Sequence, residues 1–89
     1  MISRQSAKER VTSFLLLLHA NKGLCANEIL DLPLGREDFA DYLGLTVETV
    51  SRVLTTLREV GSIKFLRNPR QIMIRDINAL RAVAEGHGE

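Results

Sequence analysis

Residues 38–54 constrain the fold more than any other part of the chain, because two helical patterns there are separated by a tight turn. The apolar residues of these patterns are Phe39, Ala40 and Leu43 before the turn, and Val50, Val53, Leu54 and Leu57 after it. Apolar residues spaced by three and four positions lie on one face of a helix, so both helices can pack on one core. The turn, residues 44–46, contains a glycine. The sequence therefore predicts a helix-turn-helix.

The second of these helices is predicted to begin after the N-cap Thr46, to continue to Val60 and to end at Gly61. Opposite its apolar stripe it carries a polar row of Glu48, Ser51, Arg52 and Thr55. Arginine donates well to guanine O6 and N7, and a glutamate one turn earlier accepts from cytosine N4, so this row can recognise a G·C pair. The carboxylate could also hold the guanidinium in one rotamer. The alternative is a solvated ion pair, since the two residues are four positions apart on a helix surface.

Residues 42–52, Tyr-Leu-Gly-Leu-Thr-Val-Glu-Thr-Val-Ser-Arg, resemble the corresponding segment of the Crp/Fnr family of bacterial transcription regulators, and especially its Fnr/FixK branch. The similarity extends from about residue 2 to about residue 80. The resemblance implies base contacts from Glu48, Ser51 and Arg52. It also implies DNA half-sites of the TTGA type, arranged as an inverted repeat of TTGA and TCAA.

Val47 distinguishes the branches of this family. Relatives that resemble the cyclic-AMP receptor carry arginine at this position. Valine has no hydrogen-bonding group, but its methyl groups can contact the methyl group of thymine. We therefore add Val47 to the predicted base-contacting residues.

The resemblance also implies an organisation larger than residues 1–89, which we interpret as a single DNA-binding domain. Complete family members carry an effector domain and a dimerisation helix before this region, so we expect the chain to be a fragment. A natural stand-alone domain is the alternative. The implied partners are double-stranded DNA, a second copy in the complete homodimer, and RNA polymerase. No cofactor is expected in this chain, because the cluster-binding cysteines of oxygen-sensing relatives would lie in the other domain.

Contacts with DNA phosphates are predicted for Arg36, Thr46, Thr55, Lys64, Arg67 and Arg70. Such contacts orient a protein on DNA without specifying the base sequence. The first motif helix begins after Gly35, where relatives usually carry Thr or Ser, so a capping hydroxyl is missing there. For Arg67 and Arg70 the alternative interpretation is that exposed loop arginines serve only solubility.

The remaining patterns predict a mainly α fold with a small β-hairpin, a winged helix-turn-helix. A first helix is expected from Ser6, or Ser3, to about Ala20, with a buried stripe of Val11, Phe14, Leu15 and Leu18. Residues 32–34 predict a short extended segment around a proline. Two β-rich runs, residues 62–66 and 71–75, flank a turn and predict the hairpin wing. Asp76 can cap a last helix over residues 77–85, with Ile77, Leu80 and Ala84 facing inward.

Leu16 and Leu17 fall outside the stripe of the first helix. Either the missing part of a complete protein covers them, or Leu24, Ile29 or Leu30 folds back over them. The single cysteine, Cys25, excludes an internal disulfide and fits a reducing, cytoplasmic compartment. We expect its thiol to be a small packed side chain, with a redox role as the alternative.

Composition excludes several classes of function. The formal charge of the 89 residues is only +1, so charge alone does not indicate nucleic-acid binding, although residues 64–75 form a basic segment. His19 and His87 do not combine with the cysteine in the spacing of a metal site, and no catalytic set occurs, so no enzyme is predicted. The apolar run at residues 14–18 is too short to span a membrane. The tail at residues 86–89 is expected to fray.

Two functions from different classes fit these patterns. The first is sequence-specific DNA binding by the domain of a transcription regulator. The second is a winged-helix module that binds another protein, which the near-zero net charge would suit. A protein-binding helix is expected to expose apolar anchors, whereas this one exposes Glu48, Ser51, Arg52 and Thr55. The residues therefore favour DNA binding.

Overall fold

A computed structural model describes residues 6–86, which contain four helices and three strands. In chain order they are α1 (Ala7–Asn21), β1 (Ile29–Asp31), α2 (Arg36–Leu43), α3 (Val47–Glu59), β2 (Ile63–Phe65), β3 (Gln71–Ile74) and α4 (Ile77–Ala84). These elements confirm the predicted winged helix-turn-helix. The alternative helix start at Ser3, the histidine at residue 87 and most of the tail expected to fray lie outside the described residues.

Side-chain caps explain why the helices begin where the sequence predicts. Ser6 and Glu9 form a capping box at α1: the serine Oγ accepts from the Glu9 amide at 3.2 Å, and the Glu9 carboxylate accepts from the Ser6 amide at 2.8 Å. Asp76 accepts from the amide of Ala79 at 3.0 Å and caps α4. Each cap satisfies backbone donors that have no partner inside the helix.

One apolar core joins all the helices to the sheet. Its fully buried side chains are Val11, Leu15, Leu30, Phe39, Val50, Leu54, Leu57, Ile63, Ile72, Ile74 and Leu80. Burying one such side chain contributes about 1.5–3 kcal/mol of transfer free energy. Because α3 supplies three of them, its orientation is set by the core, and its opposite face is left at the surface.

The sheet has three strands, whereas the sequence predicted two. β1 pairs antiparallel with β3, with Ile29 opposite Met73, and the strand order is β1-β3-β2. The predicted extended segment at residues 32–34 lies just after this pairing. Pro33 has no amide hydrogen to continue the ladder, while Leu32 still donates to the carbonyl oxygen of Arg70 at 2.7 Å. The extra strand, β1, pairs with the edge of β3 that faces away from β2.

The buried face of α1 differs from the predicted stripe. Phe14 and Leu18 are only half-buried, and the buried residues are Val11, Thr12, Leu15 and His19. Two polar side chains tolerate burial because each has a partner: the Thr12 hydroxyl donates to the carbonyl oxygen of Lys8 at 2.6 Å, and His19 Nε2 lies 3.2 Å from the carbonyl oxygen of Cys25. Phe14 and Leu18 still pack against the core, so the predicted stripe is confirmed for Val11 and Leu15 and in part for Phe14 and Leu18.

Helix α4 packs along α1. A groove of about 590 Å³ remains between them, lined in part by Leu16, Leu17, Leu24 and Arg81. Leu24 is half-buried, but Leu17 is 52% exposed, so the predicted fold-back covers the leucine pair only in part. On α4 itself, Leu80 and Val83 are buried, whereas Ile77 and Ala84, predicted to face inward, are half-buried.

Cys25 is exposed, so the expectation of a packed thiol was wrong. The cysteine lies in the loop between α1 and β1, where Asn27 adopts a left-handed backbone conformation with φ 69°. The amide of Cys25 donates to the Glu28 carboxylate at 2.7 Å, and its carbonyl oxygen meets His19. The backbone of this residue is therefore anchored while its side chain stays at the surface.

Candidate nucleic-acid interface

The exposed face of α3 carries the residues predicted to contact bases. Val50, Val53, Leu54 and Leu57 are buried on the opposite face. Glu48 and Arg52 are exposed, Val47 is 38% exposed and Ser51 is half-buried. Residues one turn apart lie on the same side of a helix, so these four form one surface near the N-terminal end of α3. We call this surface the recognition face.

Arg52 has no hydrogen-bonded partner within residues 6–86, where the arginine side chains that donate hydrogen bonds are those of Arg10 and Arg70. Its five N–H donors are therefore available to a ligand. The predicted contact, in which the Glu48 carboxylate accepts from Arg52 and holds the guanidinium in one rotamer, is absent from the hydrogen bonds within residues 6–86. Both side chains are exposed.

The start of α3 is held by a pair of threonines. Thr46 Oγ1 accepts from the amide of Thr49 at 3.1 Å, which confirms the predicted N-cap. The same hydroxyl donates to Thr49 Oγ1 at 2.8 Å. The two hydroxyls share one hydrogen between them, so one other hydroxyl hydrogen of the pair remains available to an outside acceptor. Thr49 was not among the predicted contacts.

The start of α2 lies beside the wing. Gly35 is the N-cap and makes no side-chain cap, as its lack of a side chain requires. Arg36, the first residue of α2, is half-buried, and its guanidinium carbon lies 5.8 Å from the centroid of the Phe65 ring on β2. Glu37 and Asp38 are exposed in the same first turn. The positive charge of Arg36 is therefore directed away from its helix towards the hairpin.

The basic residues of the wing differ in whether they contact the rest of the domain. Lys64 on β2 and Arg67 in the turn are exposed. Arg70 donates through Nε to the carbonyl oxygen of Leu32 at 3.1 Å, a contact over 38 positions that the sequence did not predict. Arg70 is therefore anchored to the segment after β1, whereas Lys64 and Arg67 extend into solvent. Thr55, on α3 beyond the recognition face, is half-buried.

The observed geometry is that of a known domain type. Residues 9–83 match the family model described as the Crp-like helix-turn-helix domain. The chain belongs to the Crp/Fnr family. Within that family this Crp-like domain is the helix-turn-helix DNA-binding domain of transcription regulators, and the expected resemblance is confirmed.

Three similar proteins show how far the match extends. The nitrogen fixation regulation protein FixK of Azorhizobium caulinodans is 46% identical over 84 residues, which is 91% of this chain and 34% of that protein. FixK of Rhizobium meliloti is 48% identical over 93% of this chain and 38% of its own length. The structure of FixK2 from Bradyrhizobium japonicum superimposes with a TM-score of 0.77 at 42% identity, covering 89% of this chain and 38% of that one. The Crp-like domain thus spans about a third of the length of the relatives that it matches.

The structure brings together some of the predicted phosphate contacts and separates others. Arg36 lies beside Phe65 of the wing, Lys64 and Arg67 are exposed on the wing, and Arg70 is held against Leu32 after β1. Within residues 6–86 no group of three or more His, Cys, Asp or Glu side chains is arranged to bind a metal ion. Nor does any helix in that range have the length and apolar character needed to cross a membrane.

Proposed function

We propose that this Crp-like domain binds double-stranded DNA in a sequence-specific way, with α3 in the major groove. The observation that carries this proposal is the recognition face, where Glu48 and Arg52 are exposed, and without a hydrogen-bonded partner in residues 6–86, on a helix whose other face is buried. A helix anchored by its apolar side presents its polar side chains at a defined angle. The major groove admits such a helix, and its base edges offer hydrogen-bonding groups that differ for each base pair.

The chemistry of the face suits a half-site of the TTGA type. Arg52 can donate to guanine O6 and N7 in a bidentate pair, and Glu48 can accept from the N4 of the paired cytosine. Ser51 can donate or accept at a neighbouring base edge. Val47, at the first turn, offers methyl groups to a thymine. Four adjacent residues would therefore distinguish a short run of base pairs.

Phosphate contacts would then come from several elements of the domain. The Thr46–Thr49 pair would offer one hydroxyl hydrogen to a phosphate at the start of α3. Arg36, Lys64 and Arg67 would contribute from the start of α2 and the wing, and Thr55 from farther along α3. Arg70 has guanidinium N–H groups besides Nε and can contribute from its anchored position. These contacts would supply affinity that weakens as salt is added.

An inverted repeat of TTGA and TCAA would require two copies of the domain. We infer that the complete protein binds as a homodimer and that RNA polymerase is a further partner. A single half-site offers few phosphate contacts, so the 89-residue chain should bind weakly. Joining two copies raises the local concentration of the second to roughly millimolar, so two weak events become one tight event when the spacing fits.

The test is a titration of the single chain and of a tethered dimer on one palindromic duplex and on a scrambled duplex of equal length. We expect the dimer to bind the palindrome much more tightly than the single chain does, and to prefer it over the scrambled duplex. Equal affinity of the dimer for both duplexes would contradict sequence-specific binding. Absence of binding to either duplex at low salt would favour the protein-binding alternative.

A further inference from the structure

Two arginines from different helices lie over one aromatic ring of the wing. The guanidinium carbon of Arg58, in the last turn of α3, is 4.9 Å from the ring centroid of Phe65, and that of Arg36 is 5.8 Å away. Phe65 ends β2 and is half-buried against the core. We call Arg36, Arg58 and Phe65 the Phe65 cluster. It joins α2, α3 and the wing.

The ring positions two guanidinium groups that are not hydrogen-bonded to any carboxylate within residues 6–86. A cation within about 6 Å of a ring centroid is attracted to the face of the ring. Within residues 6–86 neither Arg36 nor Arg58 is among the arginines whose side chains donate hydrogen bonds. Two guanidinium groups that share a ring also repel each other, so an anion between or beside them would relieve that repulsion. An anionic partner that contacted the cluster would therefore be attracted by both groups.

Phosphate is the anion that fits this position. The planar arginine fork matches two phosphate oxygens, and the arginine stacks on an aromatic ring through its flat face while its N–H edge stays available. The cluster lies between the start of α2, the end of α3 and the wing. Arg58 comes seven residues after Ser51, so it lies on the same side of α3, two turns further along. If α3 enters the major groove, a neighbouring DNA strand would be the source of phosphate for this cluster.

We propose that the Phe65 ring orients the guanidinium groups of Arg36 and Arg58 so that they bind phosphate groups of the DNA backbone beside the half-site. Arg58 is then a phosphate-contacting residue, and Phe65 is a positioning residue that never touches DNA. Holding long side chains in place before binding reduces the entropy that they lose on binding. This proposal rests on the DNA-binding function proposed above.

The competing explanation is that the arginines simply cover the ring and stabilise the wing. Substituting an arginine or Phe65 separates the two explanations. Loss of a phosphate contact changes the salt dependence of DNA binding, whereas loss of surface packing does not. The 89-residue chain is titrated with labelled half-site and scrambled duplexes over a series of low salt concentrations. The variants are Arg58→Gln, Phe65→Leu, Phe65→Tyr, and Phe65→Leu combined with Arg36→Gln and Arg58→Gln. Arg81→Gln, on α4, is the matched control.

We expect Arg58→Gln to weaken binding to both duplexes by the same factor and to reduce the slope of log affinity against log salt by about one. Arg81→Gln should leave the slope unchanged. Phe65→Leu should weaken binding about two- to fivefold, as loss of the attraction between ring and cation predicts, and Phe65→Tyr should restore it. In the background without Arg36 and Arg58, Phe65→Leu should have no further effect.

An unchanged salt slope in Arg58→Gln would overturn the proposal. So would an effect of Phe65→Leu that persists in the background without the two arginines, since Phe65 would then act through packing. Circular dichroism identifies any variant that unfolds, and if Phe65→Leu does so, the slope of Arg58→Gln decides. Failure of the wild-type chain to bind any duplex would contradict the proposed function itself. Wild-type binding with normal slopes in all variants would contradict only the Phe65 cluster.

Discussion

Arg10 on α1 donates a hydrogen bond through Nη1 to the carbonyl oxygen of Leu43, 3.2 Å away and 33 positions along the chain. Leu43 ends α2, where the last carbonyl groups of a helix have no partner within it. The next residue is Gly44, which starts the turn of the helix-turn-helix motif. One charged side chain therefore connects the first helix to the point where the chain changes direction towards the recognition face.

Replacing Arg10 with methionine should keep the aliphatic packing of the side chain and remove this hydrogen bond. We expect a loss of about 1 kcal/mol in the free energy of unfolding, since the bond is partly buried and its donor is charged. Urea unfolding followed by circular dichroism measures this loss. Arg81→Met, on the exposed face of α4, should change stability by no more than about 0.5 kcal/mol. Equal effects of the two substitutions would show that the Arg10–Leu43 contact contributes nothing.

Gly44 should resist substitution by any residue that carries a Cβ atom. Its φ of 72° lies in the left-handed region, and the nearest atom to an added Cβ, Arg10 Nη1, is 3.8 Å away, so the cost comes from the backbone and not from a clash. We expect Gly44→Ala to destabilise the domain by about 1–2 kcal/mol. Thermal unfolding measures this loss. Gly44→Asn should be more stable than Gly44→Ala, because asparagine tolerates this conformation better than alanine does. A more stable alanine variant would contradict this explanation.

Arg52→Ala should abolish discrimination at the G·C pair of the half-site. The expected loss is about 1–3 kcal/mol on the specific duplex, with little change on scrambled DNA, because a bidentate contact to guanine is removed. Arg67→Ala, which removes an exposed wing charge, should weaken binding to both duplexes alike. Both variants are compared in the tethered dimer. If Arg52→Ala leaves the ratio of specific to scrambled affinity unchanged, Arg52 does not contact a base.

Val47→Arg should move the base preference of the domain at one position. The wild type should prefer thymine there, as in a TTTGA half-site, and the arginine should favour guanine, as in TGTGA. The gain for guanine is limited to about 1–3 kcal/mol. Competition between duplexes that differ only at this base pair measures the shift. An unchanged preference would mean that residue 47 does not face the base edges.

Local signals in the sequence were sufficient for the helix-turn-helix itself. Thr46 caps α3 and Gly61 follows its end with φ 83°, both as predicted, because a cap or a left-handed turn depends on only a few neighbouring residues. The apolar stripe of α3 has the same basis. Its burial left Glu48 and Arg52 on the opposite face, so the recognition face was also predictable from periodicity.

The tertiary structure decided the features that join distant parts of the chain. β1 is short and its Ile29 is exposed, so it becomes a strand only through pairing with β3 about forty positions later, and no local pattern reveals that pairing. The buried polar side chains of α1 follow from the packing of α4 and from backbone partners that periodicity does not include. The Phe65 cluster brings residues 36, 58 and 65 together from three elements. Sequence patterns extend over one or two helical turns, whereas these contacts depend on how the elements pack. The sequence alone therefore determined the helix-turn-helix motif. Only the tertiary structure determined the strand, the buried polar side chains and the cluster around it.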